Sequence, residues 1–139
     1  QAISYYRLDP PGTSKDALLL QIKTNLAAGF PSMFGFTVYN SISQAATTGK
    51  IPHPTKGEKI EGGHAVALVG YNDSMKIKNT NLNGIETTGA LLIRNSWGTG
   101  WGDKGYGWLP YDYVLKGLAV DWWALIKNEW VDTGAFKAP

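Results

Sequence analysis

The prediction of the fold class starts from residues 62–71, Gly-Gly-His-Ala-Val-Ala-Leu-Val-Gly-Tyr. This stretch is an apolar run of strand length that follows two glycines and opens on a histidine. A second apolar run, 90–95, ends on an asparagine. Because only the polar segment 72–89 separates the two runs, we predict that they pair as antiparallel strands. His64 and Asn95 then lie at the same end of the pair.

Side-chain alternation gives these two polar residues a shared environment. His64 has the parity of Val66 and Leu68, and Asn95 has the parity of Ile93, so each ends an apolar face. A lone histidine in such a place is more often a core residue than a catalytic one. A facing asparagine favours catalysis instead, because its carbonyl can accept an imidazole N–H and fix the tautomer and plane of the ring. The pair is therefore a candidate oriented general base.

The residues that follow the asparagine add an aromatic cover. They read Ser-Trp-Gly-Thr-Gly-Trp-Gly (96–102), where two tryptophans alternate with glycines that permit tight turns. The indole of Trp97 can keep water away from a hydrogen bond between His64 and Asn95. We expect the other tryptophans to be packing residues rather than sugar-binding ones.

A helix is predicted early in the chain. An opening strand, 1–9, ends at Pro-Pro-Gly (10–12), and Thr13 with Asp16 resembles a capping box at the start of a helix over about 14–28. Four apolar residues recur at helical spacing and predict its buried stripe: Leu18, Leu19, Ile22 and Leu26.

The remaining elements are short strands. After the helix the apolar period changes to two, with Phe34, Phe36 and Val38 on one face. The polar segment 40–63 predicts a long surface connection with a short helical turn near 41–46. Further strand-like stretches follow at 105–109 and 122–127. Together these elements predict an α+β, mainly β fold, with a small, strongly bent sheet or open barrel.

Composition narrows the chemistry. The 139 residues carry 13 Lys and Arg against 11 Asp and Glu, a formal charge of +2 that is too small for a nucleic-acid footprint. No apolar run is long enough to span a bilayer, so no membrane partner is expected. With no cysteine and only His53 and His64, a metal site is improbable, and no cofactor is implied.

The blocks 62–71 and 92–107 resemble the histidine and asparagine signatures of the papain-like cysteine peptidases. The resemblance extends over about residues 1–127, and parts of it look most like prokaryotic members. It implies the right-hand domain of the papain-like fold, an antiparallel open barrel, over residues 1–132, with a C-terminal tail at 133–139. It also slightly favours a secreted or cell-surface location, which composition alone leaves open.

The resemblance also implies roles for individual residues. It makes His64 the catalytic imidazole, Asn95 its orienting partner and Trp97 the indole that shields them. It further implies that four small residues line the pocket for the substrate side chain one residue before the scissile one: Gly35, Gly62, Gly63 and Ala65. Gly63 departs from the Asn or Asp that is usual before the histidine.

The same resemblance implies that a nucleophilic cysteine lies on a preceding helical domain, which this chain does not contain. We therefore expect the chain to be the C-terminal half of a thiol-dependent endopeptidase, acting on peptide or protein substrates when complete and inactive alone. The alternative is a catalytically dead binding or structural module of the same fold. A further possibility is self-association through the apolar face that the absent domain would cover.

Overall fold

The computed structural model describes residues 3–127, and the predicted tail at 133–139 lies outside them. Two helices, one 3₁₀ helix and six strands make up this part. In chain order they are β1 (Ile3–Arg7), α1 (Lys15–Ala27), β2 (Ser32–Tyr39), a 3₁₀ helix (Asn40–Ala45), β3 (Ile60–Lys78), β4 (Glu86–Arg94), β5 (Tyr106–Pro110), α2 (Tyr111–Leu115) and β6 (Ala119–Lys127). Among residues 3–127, no helix combines the length and hydropathy needed to cross a lipid bilayer.

The six strands form one antiparallel sheet in the order β1-β6-β2-β3-β4-β5, and its two edges do not meet. The predicted α+β, mainly β architecture with an open sheet is confirmed. The predicted pairing of the histidine and asparagine strands is confirmed as well, with Ala67 opposite Arg94 and Leu68 opposite Ile93.

The core lies on one face of the sheet. Phe34, Phe36 and Val38 are buried there, as the period of two predicts, and Phe34 stacks on Trp122 with ring centroids 3.9 Å apart. Leu18 and Ile22 of α1 pack onto the same cluster, because helical spacing puts both on one side of the helix. The sheet therefore buries one of its two faces.

The N-cap of helix α1 lies one residue later than predicted. Ser14 is the N-cap, and its hydroxyl accepts a hydrogen bond from the amide of Ala17 at 3.1 Å. The prediction of Thr13 as the cap is wrong, because the hydroxyl of Thr13 donates instead to the carbonyl of Pro10 at 2.8 Å. Thr13 thus stabilises the turn after β1, and Ser14 caps the helix.

The segment 72–89 is largely strand rather than a separate connection. Strands β3 and β4 continue through it and pair from Lys76–Thr88 to Lys78–Glu86, with an irregularity between Asn72 and Lys76. The pair therefore forms a long hairpin. Helix α2, which directly follows β5, was not predicted because five residues carry too little helical periodicity.

Candidate active site

The imidazole of His64 stands at the rim of the core. Strand β3 pairs His64 with Phe36 of β2, and the two rings meet edge to face with centroids 6.0 Å apart. Because alternate residues of β3 face the core, His64 follows the same side as the buried Val66 and Leu68. The imidazole is half-buried there, so one side is held by packing and the other stays accessible.

Asn95 follows β4 directly and lies beside this imidazole. Its Oδ1 is 2.7 Å from Nε2 of His64, although 31 residues separate the two along the chain. The same oxygen accepts a hydrogen bond from the backbone N–H of Ser96 at 2.7 Å, and the backbone N–H of Asn95 donates to the carbonyl of Gly105 at 2.9 Å. Asn95 is only 7% exposed, so backbone contacts fix both its main chain and its carboxamide.

These contacts determine how the imidazole carries its proton. The backbone N–H of Ser96 can only donate, which identifies the atom it meets as the carboxamide oxygen of Asn95. An oxygen in that place accepts from Nε2–H of His64, so the neutral ring keeps its lone pair on Nδ1. Nδ1 can therefore accept a proton, while Nε2–H stays hydrogen-bonded to Oδ1 of Asn95.

Trp97 covers the hydrogen-bonded pair. Its indole stacks on the imidazole of His64 with centroids 4.8 Å apart and planes 23° from parallel. The outer side of this indole faces solvent, and 45% of the residue is exposed. The stack keeps solvent from one face of the imidazole, and it brings together the three residues that the resemblance made catalytic.

The four small residues of the predicted substrate pocket lie on β2 and β3. Gly35 pairs directly with Ala65, while Gly62 and Gly63 continue β3 beyond the histidine. By alternation, Gly35, Gly63 and Ala65 belong to the sheet face opposite the His64 side chain. These three residues form a strip without bulky side chains, which lies beside His64 along the strands but on the opposite face of the sheet.

A groove of about 550 Å³ adjoins Asn95, and it was not predicted from the sequence. Two cationic residues, Arg94 and Lys104, contribute to its wall. Its remaining lining comes from Ala67, Asn95, Ser96, Gly98, Thr99, Gly105 and Tyr106. Strand register explains it, because Ala67 of β3 stands opposite Arg94 and has too short a side chain to fill the space.

Within residues 3–127, no group of three or more histidine, aspartate or glutamate side chains is arranged to hold a metal ion. The second histidine, His53, lies away from His64, and its Nδ1 contacts the carbonyl of Pro54 at 3.0 Å. The site thus consists of an oriented imidazole, its amide partner and an aromatic cover.

Comparison with known proteins identifies the family. Residues 9–115 match the papain family cysteine proteases. An uncharacterised peptidase C1-like protein of Acanthamoeba polyphaga mimivirus is 37% identical over 129 residues, which are 90% of this chain and 37% of that protein. A cathepsin B-like protein of Giardia intestinalis is 37% identical over 101 residues, 73% of this chain and 26% of its own length.

Solved structures agree with this relationship. Xylellain, a cysteine protease from Xylella fastidiosa, is 38% identical and superposes with a TM-score of 0.65 over 88% of this chain and 39% of its own. A clostridial cysteine protease, at 20% identity and a TM-score of 0.53, shares the fold. The sheet is that of the papain-like right-hand domain, and the chain spans well under half the length of these relatives. The chain belongs to the papain family of cysteine proteases.

Proposed function

We propose that this chain supplies the general base His64 and its orienting partner Asn95 to a cysteine carried by another polypeptide segment. Together the two parts form a papain-like cysteine endopeptidase, and the chain alone is inactive. The observation that carries the proposal is the 2.7 Å hydrogen bond between His64 Nε2 and Asn95 Oδ1, which leaves Nδ1 available. The chain has no cysteine of its own, so the thiol must come from elsewhere.

The chemistry follows from this arrangement. Nδ1 of His64 takes the thiol proton, and the resulting thiolate attacks the carbonyl carbon of the scissile peptide. The imidazolium then gives that proton to the leaving amine as the C–N bond breaks, which leaves a thioester. A water molecule, deprotonated by Nδ1, hydrolyses the thioester and restores the thiol. Asn95 keeps the ring in one tautomer throughout.

We propose that the open face of the sheet receives the cysteine-bearing segment, and that the cysteine meets the accessible side of the His64 imidazole at the rim of the core. A row of directly paired residues crosses all six strands on this face: Arg7, Trp123, Met33, Ala67, Arg94 and Tyr106. Met33 and Trp123 are 40% and 36% exposed, and with Tyr5 they line a groove of about 440 Å³. Exposed apolar surface of this kind is typical of an interface, and it continues to the groove beside Asn95.

In the assembled enzyme, residues 1–132 correspond to the right-hand half and 133–139 to a tail. We propose that Gly35, Gly62, Gly63 and Ala65 border the pocket for the substrate side chain one residue before the scissile one. Their small size supports this, because the Gly35–Ala65 pair leaves the strip beside the histidine open. A peptide in extended conformation can approach such a strip closely.

The test is to sequence the DNA upstream of the Gln1 codon and to express the joined polypeptide. We expect a cysteine-bearing segment and thiol-dependent hydrolysis of a fluorogenic peptide library, with no turnover by the His64→Ala variant or by the chain alone. A Ser, Ala or Gly at the cysteine position would instead favour the catalytically dead module, which the absence of cysteine from this chain also allows. Turnover that persists without His64 would refute the assignment.

A further inference from the structure

Three glycines meet where the loop after the 3₁₀ helix passes beneath the tryptophan-bearing loop 96–105. A methyl group on Gly49 would lie 2.5 Å from the carbonyl oxygen of Tyr106 and 3.2 Å from Cα of Gly107. A methyl group on Gly102 would lie 2.6 Å from the same oxygen and 3.2 Å from Cα of Gly49. The two chain segments therefore touch backbone to backbone, at a distance that side chains forbid.

Backbone hydrogen bonds fix this crossing. The N–H of Gly102 donates to the carbonyl of Ala46 at 2.8 Å, and the N–H of Trp108 donates to the carbonyl of Gly49 at 2.7 Å. The N–H of Ile51 donates in turn to the carbonyl of Trp108 at 2.9 Å. The loop after the 3₁₀ helix is therefore bonded to the tryptophan-bearing loop at Ala46 and to β5 at Gly49 and Ile51, and these bonds hold the crossing in one geometry.

The crossing forms a seat for Trp101. A methyl group on Gly107 would lie 2.9 Å from Cη2 and 3.0 Å from Cζ3 of the Trp101 ring, so the ring occupies the space that a side chain would fill. The backbone of Gly107 does not have the positive φ that favours glycine. The same methyl group would lie 3.3 Å from the carbonyl oxygen of Gly49, so its tightest contacts are with the indole. The lack of a side chain thus makes room mainly for the indole.

Ring contacts connect this seat to the imidazole. Trp101 meets Trp97 edge to face, with centroids 5.3 Å apart and planes 89° apart, and Trp97 stacks on His64 at 4.8 Å. Among residues 3–127, the indole N–H of Trp97 has no hydrogen-bond acceptor. A side chain that is 45% exposed and lacks a hydrogen bond needs packing to hold its rotamer, because ordering it costs entropy.

We propose that Gly107 is a positioning residue for the aromatic cover of His64: by leaving Trp101 its seat, it holds Trp97 against the imidazole. The proposal rests on the proposed function only in making that cover part of an active site. Its geometric content concerns this chain alone, and the chain alone can test it.

The experiment is Gly107→Ala, read by ¹H–¹³C NMR of the His64 ring. Stacking on an indole shifts the imidazole resonances by ring current, and the Trp97→Leu variant defines the spectrum without it. We expect Gly107→Ala to move these resonances toward the Trp97→Leu positions, because the new methyl displaces the far end of the Trp101 ring. Gly100→Ala is the matched control, since it lies in the same loop, has no positive φ and would meet nothing within 4 Å; we expect wild-type resonances.

Two further variants keep the test decisive if Gly107→Ala does not fold. Trp101→Ala removes the ring without a clash, and we expect the same displacement of the His64 resonances. Adding Trp101→Phe to Gly107→Ala replaces the indole with a smaller ring, and we expect the resonances to return toward wild type. His64 resonances that stay at wild-type positions in folded Trp101→Ala, while Trp97→Leu moves them, would overturn the proposal. An inactive joined polypeptide would refute the proposed function and leave this outcome unchanged.

Discussion

Oδ1 of Asn95 accepts the Nε2–H of His64 at 2.7 Å, and it does so with an orientation that the chain sets locally. The amide of the next residue, Ser96, donates to the same oxygen at 2.7 Å, so the carboxamide cannot rotate without losing a backbone contact. The histidine is therefore oriented by an acceptor that is itself held by the main chain. The arrangement thus separates the roles that we propose for the two residues.

The first prediction follows from that separation. In the joined polypeptide, His64→Ala removes the group that transfers protons and leaves the thiol without a base, so we expect no detectable turnover, a loss beyond the roughly 10²–10⁴-fold that a positioned acid–base group contributes. Asn95→Ala leaves the imidazole in place with a free tautomer, so we expect a smaller loss with measurable residual turnover. Steady-state kinetics of both variants checks this, and Asn95→Ala turnover equal to wild type would remove Asn95 from the mechanism.

A second prediction concerns the indole cover. In Trp97→Leu we expect the Nε2–H proton of His64 to exchange faster with solvent, because the stack at 4.8 Å no longer screens the ring. Unfolding free energy should change by about 1 kcal/mol or less, since 45% of the residue is exposed. NMR exchange rates provide the measurement. Trp123→Leu is the control: it removes an equally large ring from the other face of the sheet, and it should leave the exchange rate unaltered.

The His64–Asn95 pair could be predicted because each residue lies at the end of a short apolar run in the sequence. Alternation along two short strands set the parity of His64 and Asn95, and antiparallel pairing then brought them to one end. The groove between Ala67 and Arg94 escaped prediction because it depends on the register of β3 against β4. The packing of Trp101 on Gly107 could not be predicted either. Gly107 has no positive φ, so nothing local in the sequence explains the glycine, and the ring that packs on it depends on the tertiary fold.

A polar cluster around the buried Asn79, outside the site, could not be predicted from the sequence either. Oε2 of Glu58 accepts hydrogen bonds from the backbone N–H of Thr55 at 3.0 Å, Nδ2 of Asn79 at 2.8 Å and Nδ2 of Asn81 at 3.3 Å. Asn79 is fully buried, and its Nδ2 also donates to the carbonyl of His53 at 2.8 Å. The cluster attaches the end of the β3–β4 hairpin to the loop that leads to β3.

The third prediction uses the charge of this cluster. Burial acts to raise the pKa of Glu58, but the hydrogen bonds to its carboxylate outweigh burial and hold the pKa below its usual range. A carboxyl with a lower pKa in the folded chain stabilises folding above its unfolded pKa, near 4.3, and this stabilisation is lost as pH falls through the folded pKa. We therefore expect Glu58→Gln to unfold with less pH dependence below about pH 4.3 and to lose about 1–3 kcal/mol at pH 7.

Urea unfolding between pH 3 and pH 7 measures this effect. Glu61→Gln is a suitable control, because Glu61 is exposed on β3 and has no hydrogen bond to its carboxylate among residues 3–127. Its stability should follow the wild-type profile. A Glu58→Gln profile parallel to wild type at acidic pH would show that the carboxylate is not linked to folding.

A fourth prediction concerns the open face in the absence of a partner. Met33 and Trp123 lie opposite each other on β2 and β6 and are both exposed. We expect the chain alone to associate with itself at high concentration through this apolar surface. Met33→Lys should shift the equilibrium to monomer, whereas Leu82→Lys, at the exposed end of the hairpin, should not. Size-exclusion chromatography with light scattering measures the oligomeric state. A wild-type chain that stays monomeric at all concentrations would contradict self-association through this surface.

The last prediction concerns Gly89, which lies in β4 beneath the ring of Tyr111. The hydroxyl of Tyr111 donates to Oδ1 of Asp73 at 2.6 Å, and Nζ of Lys23 lies 2.8 Å from the same oxygen. Lys23 also stands 5.2 Å above the Tyr111 ring, so the tyrosine joins α2, the hairpin and α1. These contacts leave the ring little freedom to move away from β4.

A methyl group on Gly89 would lie 2.5 Å from Cδ2 and Cε2 of Tyr111, at a φ of +92°. Gly57 has the same φ of +92° with nothing within 4 Å, so Gly57→Ala carries the backbone cost alone, about 1–2 kcal/mol. Gly89→Ala should cost about 1–3 kcal/mol more, because the ring cannot yield without giving up its contacts with Asp73 and Lys23. Urea unfolding of the two variants isolates this difference, and equal losses would mean that the Tyr111 ring moves freely.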